Sequence, residues 1–273
     1  MSSNEMLVGN EMSEEEKGWM SALEEAAKAE GVSWDSRFFL ASVAIVTKGD
    51  VKKGLLRLRN WKKVCEQYDF KNVGEKHGTQ WIKDHANSLV FSVGQDKNGC
   101  NGYGVNLGSF LPSVLKTDYE MQCYLRAVAD NMRHNTPTLA HVRRGSFFFV
   151  ELKGYGWRNF SMTLDKKVTS VYQDAYPIKV KKILIVNPPA LSLFVAIKEI
   201  CKVFVKKKTI DRVAPVSPEG LSQYFEHDQI PAYLGGGYAQ DFWQKRDENL
   251  KIHRASVAEM ESGSGPRAAT VSM

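Results

Sequence analysis

The run Ser146–Leu152, SFFFVEL, constrains the fold more than any other part of this chain. Phe147 to Val150 is apolar without interruption, so both faces of the strand it forms must be covered, and such strands occupy the middle of a sheet. Lys182–Val186, KILIV, is a second aliphatic strand, stopped by Asn187 and two prolines, which cannot donate to a ladder. From Ala190 to about Val205 the periodicity turns helical: Leu193, Phe194, Ile197, Ile200, Cys201 and Phe204 recur at spacings of three and four. That helix would reach only roughly 25 Å, and Lys198, Glu199 and Lys202 interrupt its apolar surface, so it is too short and too charged to span a bilayer.

The rest of the chain supplies the surroundings. Glu14–Glu30 reads as an amphipathic helix with Ser13 and Glu16 as a capping box and Gly31 as its stop. Helical patterns follow from Ser36 to Thr47 and from Asp50 to Tyr68. Leu89–Val93 and Tyr103–Leu107 are short strands, and the turn-rich stretch Gly94–Gly99 between them suits a hairpin. Asn101 and Leu107 stand where a calcium loop needs glycine and glutamate, and no helix follows at once as a dinucleotide fingerprint requires. Asp118–His134 and Asp165–Asp174 read as helices, Asp211–Pro215 as an edge-like strand, and Ser217–Phe225 as a further helix. The polar start, residues 1–13, and the small-residue tail after Ser256 are expected to be disordered or flexible.

Composition sets wide bounds. The chain has 273 residues, 43% of them hydrophobic and 25% charged, which is ordinary for a globular protein. Cys65, Cys100, Cys123 and Cys201 are scattered and form no CxxC pair, so free thiols in a cytoplasmic protein are expected. The start, MSSNEMLVGNEMSEEEK, is polar and acidic, so a secretory signal is not expected. A net charge of +6 suits an anionic partner. No zinc-finger or RNA-recognition pattern accompanies it, so an anionic membrane surface is expected rather than nucleic acid. Dispersed histidines, and the lack of a nucleophile elbow or Walker loop, point to a carrier and not an enzyme.

Taken together, Tyr176-Pro177 before a strand, the strand-proline-apolar helix block after it, and the ending Ile230-Pro231-Ala232-Tyr233-Leu234-Gly235-Gly236 resemble the CRAL-TRIO lipid-binding domain. Leu234 is an insertion before the family's paired glycines. FFLASVAIVTKGDVKKGLLRLRNWKKVCEQY resembles the small helical domain that precedes it, with Ser42, Ile45 and Thr47 where the family often carries arginine. The implied fold is α/β: a mixed, mostly parallel sheet flanked by helices, with a mobile gate helix. The implied division is 1–13 disordered, 14–72 helical domain, 73–240 lipid-binding domain, and 241–273 C-terminal helix and flexible tail.

The resemblance also implies a function and a site. The protein would be a cytoplasmic carrier, favoured as a monomer, associating transiently with membranes. It would hold one hydrophobic molecule (a phospholipid, sterol or isoprenoid) as cargo, with no cofactor. The alternative is a module that senses or presents a lipid, or binds a protein, without net transfer. Phe148, Val150, Val168, Val171, Tyr172 and Tyr176 would line the pocket; the same positions suit a filled core equally well. Leu193, Phe194, Ile197, Ile200 and Cys201 would form the gate. Lys202 matches the gate-helix lysine of phosphatidylinositol-transfer members, while Lys167 stands where those proteins carry glutamate; both are candidates for headgroup binding. Lys179, Lys181, Lys182, Lys206, Lys207 and Lys208 form a basic rim that either docks on membrane or is a solvated face.

Overall fold

The computed structural model describes residues 9–262, the side chains of residues 191 and 192 excepted. Residues 1–8 and 263–273, where disorder and a flexible tail were expected, lie outside that range. Residues 9–13 are tied down instead. The Gly9 carbonyl accepts from Ala140 N–H at 3.0 Å, and Asn10 joins Leu139 N–H at 3.2 Å to Glu259 at 2.6 Å.

Three helices open the chain, α1 (Glu14–Ala29), α2 (Arg37–Thr47) and α3 (Val51–Gln67). Each begins where a side chain accepts an otherwise unpaired backbone N–H: Ser13, Ser36 and Asp50. Glu16 completes the capping box of α1. α4 (Glu75–His85) leads to β1 (Val90–Phe91) and β2 (Asn101–Asn106), which pair antiparallel across the turn-rich connection. Then come α5 (Asp118–Asn135), the short α6 (Leu139–Arg144), β3 (Ser146–Glu151), α7 (Met162–Tyr172), β4 (Val180–Val186), α8 (Leu191–Cys201), α9 (Lys207–Ile210), β5 (Val213–Val216) and α10 (Phe242–Ser262).

The strands form one sheet in the order β1-β2-β3-β4-β5, parallel from β2 onward. β3 is the middle strand, as its unbroken apolar run requires. Its alternation sends Phe148 and Val150 to one face and Phe147 and Phe149 to the other. On the second face Phe147, Phe149, Leu184 and Val186 pack against Leu221, Phe225 and Ile230. That cover is a series of short 3-10 turns rather than the helix expected over Ser217–Phe225. Aromatic rings of the neighbouring strands lie over β2, which is why it carries glycines: a Cβ at Gly104 would stand 2.0 Å from the Phe91 ring of β1, and one at Gly102 would stand 2.5 Å from Phe147 of β3.

On the first face lie α5 and α7. The same apolar core runs on without a break into α1–α3, where Trp61 and Phe39 meet Tyr176 with ring centroids 5.4 and 6.0 Å apart. α10 packs against α5 and α2. One register shift matters for the surface. Ser146 pairs with Val180 but Phe147 with Lys182, so Lys181 is an extra residue in β4 and both lysines are exposed.

Candidate functional site: an apolar cavity beneath α8

Core packing leaves few voids larger than a water molecule. The space between the first face of the sheet and its helices is therefore unusual: a cavity of about 250 Å³. For scale, an apolar cavity of about 150 Å³ suffices to hold benzene. The sheet contributes Tyr103 and Val105 from β2, Phe148 and Val150 from β3, and Ile183 from β4. These residues are in register, Tyr103 with Phe148 and Phe148 with Ile183, so they form one continuous wall. α5 presents Tyr124, Ala127, Val128, Asn131 and Met132, and α7 presents Asp165, Val168, Thr169 and Tyr172. Both sets follow the three-four spacing that places residues on one helical stripe.

The last wall comes from Cys201, Phe204 and Val205. α8 stops at Cys201, short of the Val205 end expected from periodicity. The amides of Phe204 and Val205 turn back onto the Cys201 carbonyl, at 3.1 and 2.8 Å. The Gln173 side chain clamps this turn, donating to the Phe204 carbonyl at 3.2 Å and accepting from Lys206 N–H at 2.8 Å. The body of α8 is held much less firmly. None of its described side chains is fully buried, and it makes no extensive contact with any other helix or strand. Val195 on it and Val203 just after it are exposed, Val203 by 77%.

The residues singled out from sequence divide accordingly. Phe148, Val150, Val168 and Tyr172 line the cavity. Val171 does not: it is fully buried on the adjoining stripe of α7, in the core with Leu164. Tyr176 does not either, because the chain turns at Asp174 (φ 61°) and carries the ring under Trp61. There its carbonyl accepts from Arg57 and its hydroxyl meets Thr136 at 3.4 Å. Of the gate positions only Cys201 reaches the cavity; Leu193, Phe194, Ile197 and Ile200 are half-buried along α8, away from it.

The two headgroup candidates are not brought together in the cavity. Lys202 is exposed and pairs with Glu199 one helical turn back, while Lys167 is half-buried outside the wall. The carboxyl that sequence reading missed is Asp165, three residues before Val168 and seven before Tyr172, a spacing that shares their stripe. Burial pushes its carboxyl up to about 6.

The lysines gather where β4 and β5 begin, since Ile183 N–H bonds to the Arg212 carbonyl at 3.0 Å. Lys179 is partly committed, donating to the Arg143 carbonyl at 3.1 Å, and Lys206 and Lys207 pair with Asp174 and Asp211. Lys181, Lys182 and Lys208 are exposed.

A layered α/β sheet with an apolar cavity on one face and a weakly held apolar helix at its edge is an arrangement that suits a lipid-binding class of protein. The CRAL/TRIO domain model matches residues 85–236, more than half of the chain, and the chain belongs to that family, whose members generally bind and transfer hydrophobic lipid ligands. The tyrosine-protein phosphatase non-receptor type 9 proteins of Mus musculus, Homo sapiens and Rattus norvegicus are 30% identical over 94 residues. That stretch is 34% of this chain and only 16% of each relative's length. Among solved structures, the crystal structure of Sfh5 superposes with a TM-score of 0.51 at 13% identity, over 92% of this chain and 99% of that one, a likeness of fold. Among the described residues no helix is long and apolar enough to cross a membrane.

Proposed function

We propose that this protein is a carrier that holds one hydrophobic molecule in the cavity between β2–β4, α5 and α7, and exchanges it at membranes by displacement of α8. The observation that carries this reading is the pairing of an apolar cavity of about 250 Å³ with a wall supplied by the turn after α8 and by the end of α8 itself, a helix that fully buries none of its described side chains. An apolar cavity favours cargo by roughly 0.8 kcal/mol for each methylene taken from water. A wall that moves would let so apolar a molecule enter and leave a site that otherwise covers it. α8 suits that role because weakly buried elements open at lower free energy than the core. Lys181, Lys182 and Lys208, exposed near the starts of β4 and β5, would meet anionic headgroups.

The test is movement of labelled lipid between donor and acceptor vesicles, with mass spectrometry of whatever co-purifies with the folded protein. Acceleration over spontaneous exchange supports transfer. Bound cargo without acceleration supports the second reading, a module that presents its ligand. One finding favours that second reading: the shared stretch is a small part of relatives named as phosphatases.

A further inference from the structure

The cavity is mostly apolar, its few polar side chains are contributed by β2, α5, α7 and the end of α8, and Asp165 is the one carboxyl among the residues that line it. It projects from the first turn of α7. Its backbone N–H is used within the helix, bonding to the Ser161 carbonyl at 2.8 Å. Its carboxylate has no hydrogen bond or ion pair among the described residues, although Lys166 and Lys167 follow it directly in sequence. The ionisable groups within its electrostatic reach are Tyr124 of α5, Tyr155, Tyr172 of α7 and Cys201 of α8. Burial raises all of these, so they are neutral around pH 7 and none is a cation that could neutralise a carboxylate. Nearby, Thr169 and Tyr172 have their hydroxyls 3.4 Å apart, close enough to satisfy each other. The acceptor left over in this wall is therefore the Asp165 carboxyl.

We propose that the cargo is an otherwise apolar molecule ending in a hydrogen-bond donor, a hydroxyl or an amine, and that Asp165 accepts that hydrogen bond and so fixes which end of the cargo faces α7 and α8. This rests on the carrier reading above. Asp165 is half-buried, and a partly desolvated carboxylate without a partner is unfavourable; a ligand donor supplies that partner. The same carboxyl selects against anionic ends: a phosphate or fatty-acid carboxylate placed there would set like charges together with no cation between them. A donor to a charged acceptor contributes about 10- to 100-fold in affinity.

Competition against an environment-sensitive apolar fluorophore, with dodecanol, dodecylamine, dodecanoate and dodecane as probes, tests this directly at pH 7.5. The expected result is that dodecanol or dodecylamine displaces the dye at least tenfold more effectively than dodecanoate. The stronger of the two identifies which donor the site takes. Asp165→Leu should abolish that order and raise the relative affinity of dodecane. Asp165→Asn should keep dodecanol binding within a few-fold but lose any advantage of the amine. Equal competition by alcohol, amine and acid, or an unchanged order in Asp165→Leu, would overturn the assignment of Asp165 while leaving the carrier reading intact. If neither the dye nor any probe binds the parent protein, the carrier reading fails, and this one with it.

Discussion

Glu16 in the first turn of α1 and Arg143 in α6, 127 residues apart in sequence, form a two-pronged ion pair: Arg143 Nε donates to one carboxylate oxygen at 2.8 Å and an Nη donates to the other at 2.7 Å. The side chains are only 10% and 20% exposed. The pair fastens the N-terminal helix to the segment that leads into β3. Breaking a largely buried pair leaves the surviving charge uncompensated. Glu16→Ala should therefore lower stability by about 2–4 kcal/mol, read as the midpoint of urea unfolding. A loss under about 0.5 kcal/mol would show the pair to be incidental.

Asp165 makes stability depend on pH in a definite direction. Burial raises its carboxyl from 3.8 to about 6. Between those values the folded chain keeps a proton the unfolded chain has released. Its contribution to folding thus weakens as pH rises through that window, and the penalty is fully present above about pH 6. Asp165→Asn should be more stable than the parent by about 2–3 kcal/mol at pH 7.5, with the gap closing toward pH 4. A variant less stable than the parent at pH 7.5 would contradict this.

His253 on α10 acts in the opposite sense. Its ring stands edge-on to Phe38 of α2, centroids 4.8 Å apart, and burial first, then the charge of Arg133, lowers it from 6.5 to about 4. The folded chain resists a proton that the unfolded chain takes up, so stability present above pH 6.5 is lost as pH falls toward 4. From pH 7 to pH 5 this residue alone should account for a loss of about 2 kcal/mol, and His253→Phe should remove that increment while keeping the ring contact. Unfolding curves at the two pH values for both proteins decide it.

Filling the cavity separates cargo binding from stability. Val168→Phe extends a side chain from α7 into the open space, so overpacking strain is avoided and stability should change by less than about 1.5 kcal/mol. Cargo affinity should fall at least tenfold. Hydrogen exchange of the α8 amides should be faster than that of α5 in the empty protein and should slow when cargo is bound. Exchange in α8 as slow as in α5 would argue against a gate there.

The basic rim predicts unequal lysines. Lys181→Ala, Lys182→Ala and Lys208→Ala together should weaken binding to anionic vesicles by up to about 100-fold, at roughly 1 kcal/mol for each residue near the surface. Lys179→Ala should do less, since that ammonium already donates to the Arg143 carbonyl. Vesicle sedimentation at two salt concentrations measures both, and equal effects of Lys179 and Lys182 would sink the distinction.

Much of the sheet could be read from local pattern. Phe147–Val150 and Lys182–Val186 announce covered strands because a run apolar on both faces has few other places to go. α4 and α6 escaped for complementary reasons. In EKHGTQWIKDH only Trp81 and Ile82 mark an apolar side, and α6 is one and a half turns long, too short to show a period. Period two and period 3.6 also place Phe148, Val150, Val168 and Tyr172 on inward faces. They cannot say where the inside is hollow, since a filled core has the same alternation. Val171 and Tyr176 show this: both are as buried as any pocket residue, yet they belong to packed interfaces. Asp165 was invisible for a related reason, because an acid in the first turn of a helix is ordinary on a surface, and only the tertiary fold turns that turn inward.

The single extra residue in β4 makes the rim a matter of geometry as much as of composition. In a regular ladder Lys181 and Lys182 would point to opposite faces, one of them toward the interior. With the slip between Ser146 and Phe147 both lysines are exposed while Ile183 stays in register with Phe148. Shortening this strand by one residue, with every lysine retained, would force a choice between the charged edge and the wall of the cavity. The charged edge and the cavity wall thus share one strand and meet at one position, between Lys182 and Ile183.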